Sequence, residues 1–231
     1  MPKYIVANWK SHKTLPETLQ WLEQFSRLFT PVPQVQVIIA PPAPYIAVLR
    51  QIILEQYGSL SLALAVQDLS PFPLGSYTGA VAAKMLHGLV EYAIIGHSER
   101  RRYFHETNSE IGNKVREAVS VGIKPIVCVD LPYARSLLAT VDEADMTNVI
   151  IGYGPVEAIG IDVPQSSGAI RSAIKEIEAL APGRPILYGG SVQTGNAHSL
   201  MQLSGLSGLI VGTASLPADK FAGICQACGA G

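Results

Sequence analysis

Ile150-Ile151-Gly152-Tyr153-Gly154-Pro155-Val156-Glu157-Ala158-Ile159-Gly160 opens on an apolar, β-branched run, stops it at a Gly-Pro turn and closes a loop of small residues on a further glycine. A strand that is apolar at consecutive positions is buried on both faces, as in a parallel sheet covered by helices. Such a strand ending at a Gly-bounded loop is also where α/β proteins place chemistry. Outward from this segment the same pattern repeats. Strand-like runs at 4–7, 35–40, 62–66, 92–96, 123–129, 148–153, 185–188 and 208–211 alternate with helical stretches. The first helix opens at Leu15-Pro16-Glu17, with Leu19, Leu22, Phe25, Leu28 and Phe29 at helical spacing. The others are predicted over 45–57, 80–89, 110–121, 133–139, 168–180, 196–203 and 218–225. Eight unbroken strand–helix units favour a closed (β/α)8 barrel over an open doubly wound sheet.

The chain has 231 residues, 48% apolar and 15% charged, with a net charge of −1. That suits one barrel domain over 1–231 with a substantial core, and argues against disorder. No basic block points to nucleic acid or an anionic membrane surface, and the apolar runs are too short to span a bilayer. Met1-Pro2-Lys3-Tyr4 leads straight into a strand with no signal-peptide core, so a cytoplasmic location is expected. Cys225 and Cys228 form a CxxC, but no second ligand pair or preceding strand accompanies it, so two thiols on a terminal helix are expected. Cys128, at the end of the fifth strand, is expected to pack.

A barrel carries its site at the C-terminal strand ends. After the first strand come Asn8 and Lys10, and a lysine there can hold an anion as a point charge. The fourth strand runs into Gly96-His97-Ser98-Glu99-Arg100-Arg101. A histidine at a helix start can be kept neutral by the helix dipole and polarise a carbonyl, while Glu99-Arg100 can be a local ion pair.

Gly96-His97-Ser98-Glu99-Arg100-Arg101 is similar, residue for residue, to a motif of the triosephosphate isomerase family. Asn8-Trp9-Lys10, Tyr188-Gly189-Gly190-Ser191-Val192 with Asn196-Ala197, and Val211-Gly212-Thr213-Ala214-Ser215-Leu216 resemble that family too, in order along nearly the whole chain. The resemblance implies interconversion of dihydroxyacetone phosphate and glyceraldehyde 3-phosphate through an enediolate, without metal or other cofactor. Asn8 and Lys10 would bind substrate, His97 would be the neutral imidazole at the carbonyl, and Glu99 would be the acid beside the lysine. In that family a glutamate base, a neutral histidine and a closing loop are known features, and the resemblance implies the last two here. The phosphate would rest on backbone N–H groups near Gly160, Ser191, Gly212 and Thr213, which agrees with the usual phosphate site of a barrel. The loop over 67–79 resembles the one that enters the partner subunit of a homodimer, with Thr78 approaching the neighbouring site.

The chain also departs from that pattern. The family's sixth strand ends in Tyr-Glu-Pro-Val with the glutamate as general base, and here the position is Gly154. A positioned base is worth about 10²–10⁴-fold, roughly 3–5 kcal/mol of barrier, so very low activity is expected. Glu157, three residues on, would turn to the opposite face of an extended segment, up to ~10 Å further along, and is expected to face solvent. Ile161-Asp162 replaces the usual Thr-Gly, Thr213 stands where a second glycine is common, and Asp130-Leu131 stands where a glutamate often follows the fifth-strand cysteine. The shortened stretch between Cys128 and Tyr153 implies a reduced fifth helical layer. Two further readings are a non-catalytic binder of small phosphorylated sugars and an inert scaffold.

Overall fold

Strands β1 (Lys3–Asn8), β2 (Val35–Ala40), β3 (Ala63–Val66), β4 (Tyr92–Ile95), β5 (Lys124–Val129), β6 (Ile150–Tyr153), β7 (Ile186–Tyr188) and β8 (Gly208–Val211) pair in chain order, all parallel, and β8 closes on β1. They belong to a computed structural model that describes residues 2–155 and 165–229. The helices are α1 (Leu15–Leu28), α2 (Ile46–Gln56), α3 (Ala83–Leu86), α4 (Ser98–Tyr103), α5 (Asn108–Ser120), α6 (Leu131–Leu138), α7 (Glu143–Met146), α8 (Ser167–Leu180), α9 (Thr194–Met201) and α10 (Ala218–Gly229). The expected (β/α)8 barrel is therefore present. Among the described residues no helix is long and apolar enough to cross a membrane.

Period-two alternation splits every strand between two cores. Tyr4, Val6, Ile38, Ala40, Ala63, Ala65, Tyr92, Ile94, Ile126, Ile150 and Leu187 fill the barrel, with Cys128 and Ile210 packed on them. Their neighbours, among them Ile5, Ala7, Ile95, Val127, Val129, Ile151, Tyr153 and Tyr188, face the helices. Hence in β5 and β6 the even-numbered residues point inward. Gly152 confirms this: a Cβ there would meet Ile210 Cδ1 at 2.9 Å and Cys128 Sγ at 3.5 Å.

The fifth layer is reduced to the eight residues of α6 and the four of α7. Asp130 caps α6, its Oδ1 accepting the Leu131 N–H at 2.9 Å. The helix expected over 80–89 shrinks to α3, because Ala82 is still extended and Gly88 (φ +80°) ends the turn. In α1 the buried face carries Trp21, which stacks on Phe25 at 4.8 Å, whereas Leu28 is 48% exposed. The helical period there is right, but the stripe is rotated toward Trp21, whose indole N–H reaches Ser215 O at 3.1 Å. Cys225 and Cys228 are buried within α10.

Candidate active site

Lys10 follows β1 directly and has φ +52°, a left-handed conformation that costs a side-chain-bearing residue free energy unless its surroundings hold it. Here they do. The Lys10 N–H donates to Asn8 Oδ1 at 3.2 Å. Gln67 Nε2 donates to the Lys10 carbonyl at 2.9 Å and to the Ala40 carbonyl at 2.8 Å. Asn8 is buried, and the Lys10 ammonium meets Glu99 Oε1 at 2.6 Å. Gln67 is thus a positioning residue that tertiary contact alone reveals.

His97 leaves β4 through Gly96, whose φ of +73° favours glycine; a Cβ there would also lie 2.9 Å from Ile111 Cδ1. The carbonyl of Gly96 accepts from Arg101 Nε at 3.3 Å, and both Arg101 terminal nitrogens reach Asn108 Oδ1 at 2.9 Å, so Arg101 pins this turn. His97 is the N-cap of α4, and its Nδ1 accepts the Glu99 N–H at 3.2 Å. An acceptor Nδ1 leaves the ring proton of the neutral tautomer on Nε2. Burial, first of all, lowers the His97 pKa; Glu99 opposes that and the Lys10 charge assists it. The imidazole is therefore neutral, as expected from the sequence, though burial rather than the helix end leads.

Two cavities open at the C-terminal strand ends and share Lys10, His97, Gly189 and Ile210. The first, about 600 Å³, is bounded by Asn8, Ser191, Gly212 and Thr213, with Thr213 opening a 3-10 turn over Thr213–Ser215. Ser191, Gly212 and Thr213, at the ends of β7 and β8, are the residues to which the resemblance assigns the phosphate. The second, about 630 Å³, contains Glu99, Cys128, Asp130, Gly152 and Gly154. Gly154 continues the β5–β6 ladder, donating its N–H to Val129 O at 3.1 Å. Following inward-facing Ile150 and Gly152, a side chain at 154 would enter the barrel mouth. Burial pushes the Cys128 thiol up to about 12, so it stays protonated. Thr78 lies exposed on the loop over 67–79, away from these cavities within one chain. Glu157, Gly160 and Asp162 lie outside the described residues. Among the described residues no group of three or more His, Cys, Asp or Glu side chains is placed to hold a metal ion.

Behind the second cavity lies a buried ion cluster that pattern reading did not anticipate. Lys114 on α5 contacts Glu106 and holds Asp68 Oδ1 at 2.6 Å, while Arg100 reaches Asp68 Oδ2 at 2.9 Å. Asp68 and Arg100 flank Gln67 and Glu99, so this cluster ties the loop over 67–79 to the site.

The fold and the mouth define a class: a (β/α)8-barrel protein with a lysine, a neutral imidazole and two cavities at the C-terminal strand ends. The chain belongs to the triosephosphate isomerase family. A family model described as triosephosphate isomerase matches residues 3–228. The triosephosphate isomerase of Thermus thermophilus is 34% identical, over 97% of this chain and 98% of its own. Those of Symbiobacterium thermophilum (35%; 96% and 95%) and Mesomycoplasma hyorhinis (34%; 94% and 95%) are similar over comparable shares.

Proposed function

We propose that this chain, one barrel domain over 1–231, interconverts dihydroxyacetone phosphate and glyceraldehyde 3-phosphate as a cytoplasmic homodimer. The observation that carries the reading is the junction of the two cavities at Lys10 and His97, beside the cradle of Ser191, Gly212 and Thr213. The phosphate would rest on the cradle, with the Lys10 ammonium as its counter-charge. The substrate carbonyl would take a hydrogen bond from His97 Nε2, and the developing enediolate oxygen would be stabilised there. Glu99 holds Lys10 in place. Gly154 supplies no proton acceptor, so turnover below that of a chain with glutamate at that position follows from the residue itself. A coupled assay for glyceraldehyde 3-phosphate formation tests the reading.

Binding of the anion does not depend on residue 154. The two-carbon phosphorylated acid 2-phosphoglycolate, a mimic of the enediolate, should bind, and Lys10→Ala should weaken it about 10- to 100-fold, the range of a hydrogen bond to a charged group. Calorimetry in low salt that detects no binding at millimolar ligand would contradict this.

The dimer reading is supported by Phe72, Leu74 and Tyr77, exposed on the loop over 67–79, with Phe72 and Tyr77 stacked at 4.5 Å. Tyr103, 63% exposed, lines the second cavity, and Phe104, 65% exposed, follows it in the chain. Exposed aromatics in such number mark a contact surface. Sedimentation should give a species of twice the 24.6 kDa chain mass; a single-chain species alone at high protein concentration would refute it.

A further inference from the structure

We propose that Asp130 is the general base of this chain, standing at the end of β5 beside Gly154 and in one cavity with His97 and Lys10. The inference rests on the isomerase reading above. Strands β5 and β6 pair with Cys128 opposite Gly152 and Val129 opposite Tyr153. The next step of that register sets Asp130 beside Gly154, about 4.8 Å away at ordinary strand spacing. Ile126 and Cys128 belong to the barrel interior, and Asp130 keeps an extended backbone (φ −123°, ψ 144°). The alternation therefore carries one residue past the strand and turns the Asp130 side chain inward, the same way a side chain on Gly154 would turn. Asp130 lines the cavity of about 630 Å³ together with Gly154, His97 and Lys10. Its Oδ1 accepts from the Leu131 N–H at 2.9 Å, which anchors the carboxylate at the strand end.

Two other carboxylates reach this cavity, Glu99 and Glu106. Glu99 is held by the Lys10 ammonium at 2.6 Å, and protonating it would remove the counter-charge that fixes Lys10. Glu106 is engaged by Lys114, with its side chain 3% exposed. Asp130 is the carboxylate on the wall from which a base on strand six would act. It is one methylene shorter than glutamate and displaced by one strand, so it serves less well than an in-line glutamate would.

In the step proposed, an Asp130 carboxylate oxygen takes the proton from C1 of dihydroxyacetone phosphate. The C1–H pair becomes the C1=C2 bond, and the carbonyl π pair moves to O2, which His97 Nε2–H stabilises. A proton then passes from O1 to O2 through His97. As C1=O1 forms, the C1=C2 pair takes the proton from the Asp130 acid at C2, giving glyceraldehyde 3-phosphate and returning Asp130 to its carboxylate form.

The test compares the parent chain with Asp130→Asn, Asp130→Ser and Gly154→Glu. Both Asp130 variants keep a side chain suited to capping a helix, so the fold should stand. Turnover is read in the coupled assay and C1 deuterium incorporation by NMR. Binding of sn-glycerol 3-phosphate, which has the phosphate but no carbonyl, is read by calorimetry. Both Asp130 variants should lose at least about 10²-fold in kcat and in C1 exchange, with KM and glycerol 3-phosphate affinity within a few-fold of the parent. Turnover within tenfold of the parent in either Asp130 variant overturns the proposal. So does a parent that neither turns over nor exchanges while Gly154→Glu does, and in that case the isomerase reading survives. If neither the parent nor Gly154→Glu turns over, and neither binds glycerol 3-phosphate, the isomerase reading falls with it.

Discussion

Gly154→Glu introduced into the Asp130→Asn chain should raise kcat/KM for dihydroxyacetone phosphate at least about 10²-fold. The Asn background is chosen because two carboxylates on adjacent strand ends repel, and one of them would be driven toward its neutral form. Three facts place the new side chain. Residue 154 follows Ile150 and Gly152 on the inward face of β6. Its N–H is already in the ladder with Val129 O at 3.1 Å. The cavity it would enter is about 630 Å³ and contains His97 and Lys10. The electrophile and the counter-charge are thus in place before the substitution, and the glutamate adds only the proton acceptor. Over the parent chain the gain should be smaller, since Asp130 already serves there. The coupled assay decides it: a double variant no faster than Asp130→Asn would mean that position 154 does not aim at the substrate.

Lys114→Met should destabilise the fold by about 3–5 kcal/mol, the usual cost of breaking a buried ion pair. The Lys114 side chain is 5% exposed and that of Glu106 3%. Among the described residues Glu106 Oε2 has no hydrogen-bond partner, and Arg100 Nε stands 3.8 Å from Oε1, so Lys114 is the close counter-charge of this carboxylate. Burial, the largest influence, raises the Glu106 pKa, while Lys114 opposes it. A carboxyl with a raised pKa binds more protons folded than unfolded, so its contribution to stability falls as pH rises through the window above its ordinary value. Removing Lys114 enlarges that loss, and the deficit of the variant should be greatest at neutral pH and narrow on acidification. For a chain of this length the thermal midpoint should drop by roughly 10 °C. Lys114→Met with Glu106→Leu should recover most of it, because no buried charge is then left alone. A drop of less than about 2 °C in the single variant would show that the cluster is hydrated.

Most of the fold was legible from local pattern. Strands 35–40 and 208–211 have the read boundaries, because β-branched runs bounded by prolines or glycines carry their own limits. Most other ends shifted by one or two residues, as at Thr107, which starts α5 at Asn108, while α10 runs four residues past 225 to Gly229. The helix over 80–89 failed because neither Ala82 nor Gly88 adopts a helical backbone, and apolar spacing does not report φ and ψ. In the site, Lys10, His97 and Glu99 were legible as a motif, and Gly154 as its gap. Gln67, Arg101 and the Asp68–Glu106–Lys114 cluster were not. Each acts on a group that is distant in sequence, such as Lys10 O for Gln67, or needs a partner from another element.

By itself the sequence determined the eight strand–helix units, the family, and which strand end lacks a carboxylate, since all of these follow from side-chain period and from residue identity at fixed spacing. Only the tertiary structure decided that Asp130 stands beside Gly154. Neighbouring strand ends acquire their register when eight strands close into one barrel, and that closure depends on the packing of all of them at once, not on any residue between 130 and 154.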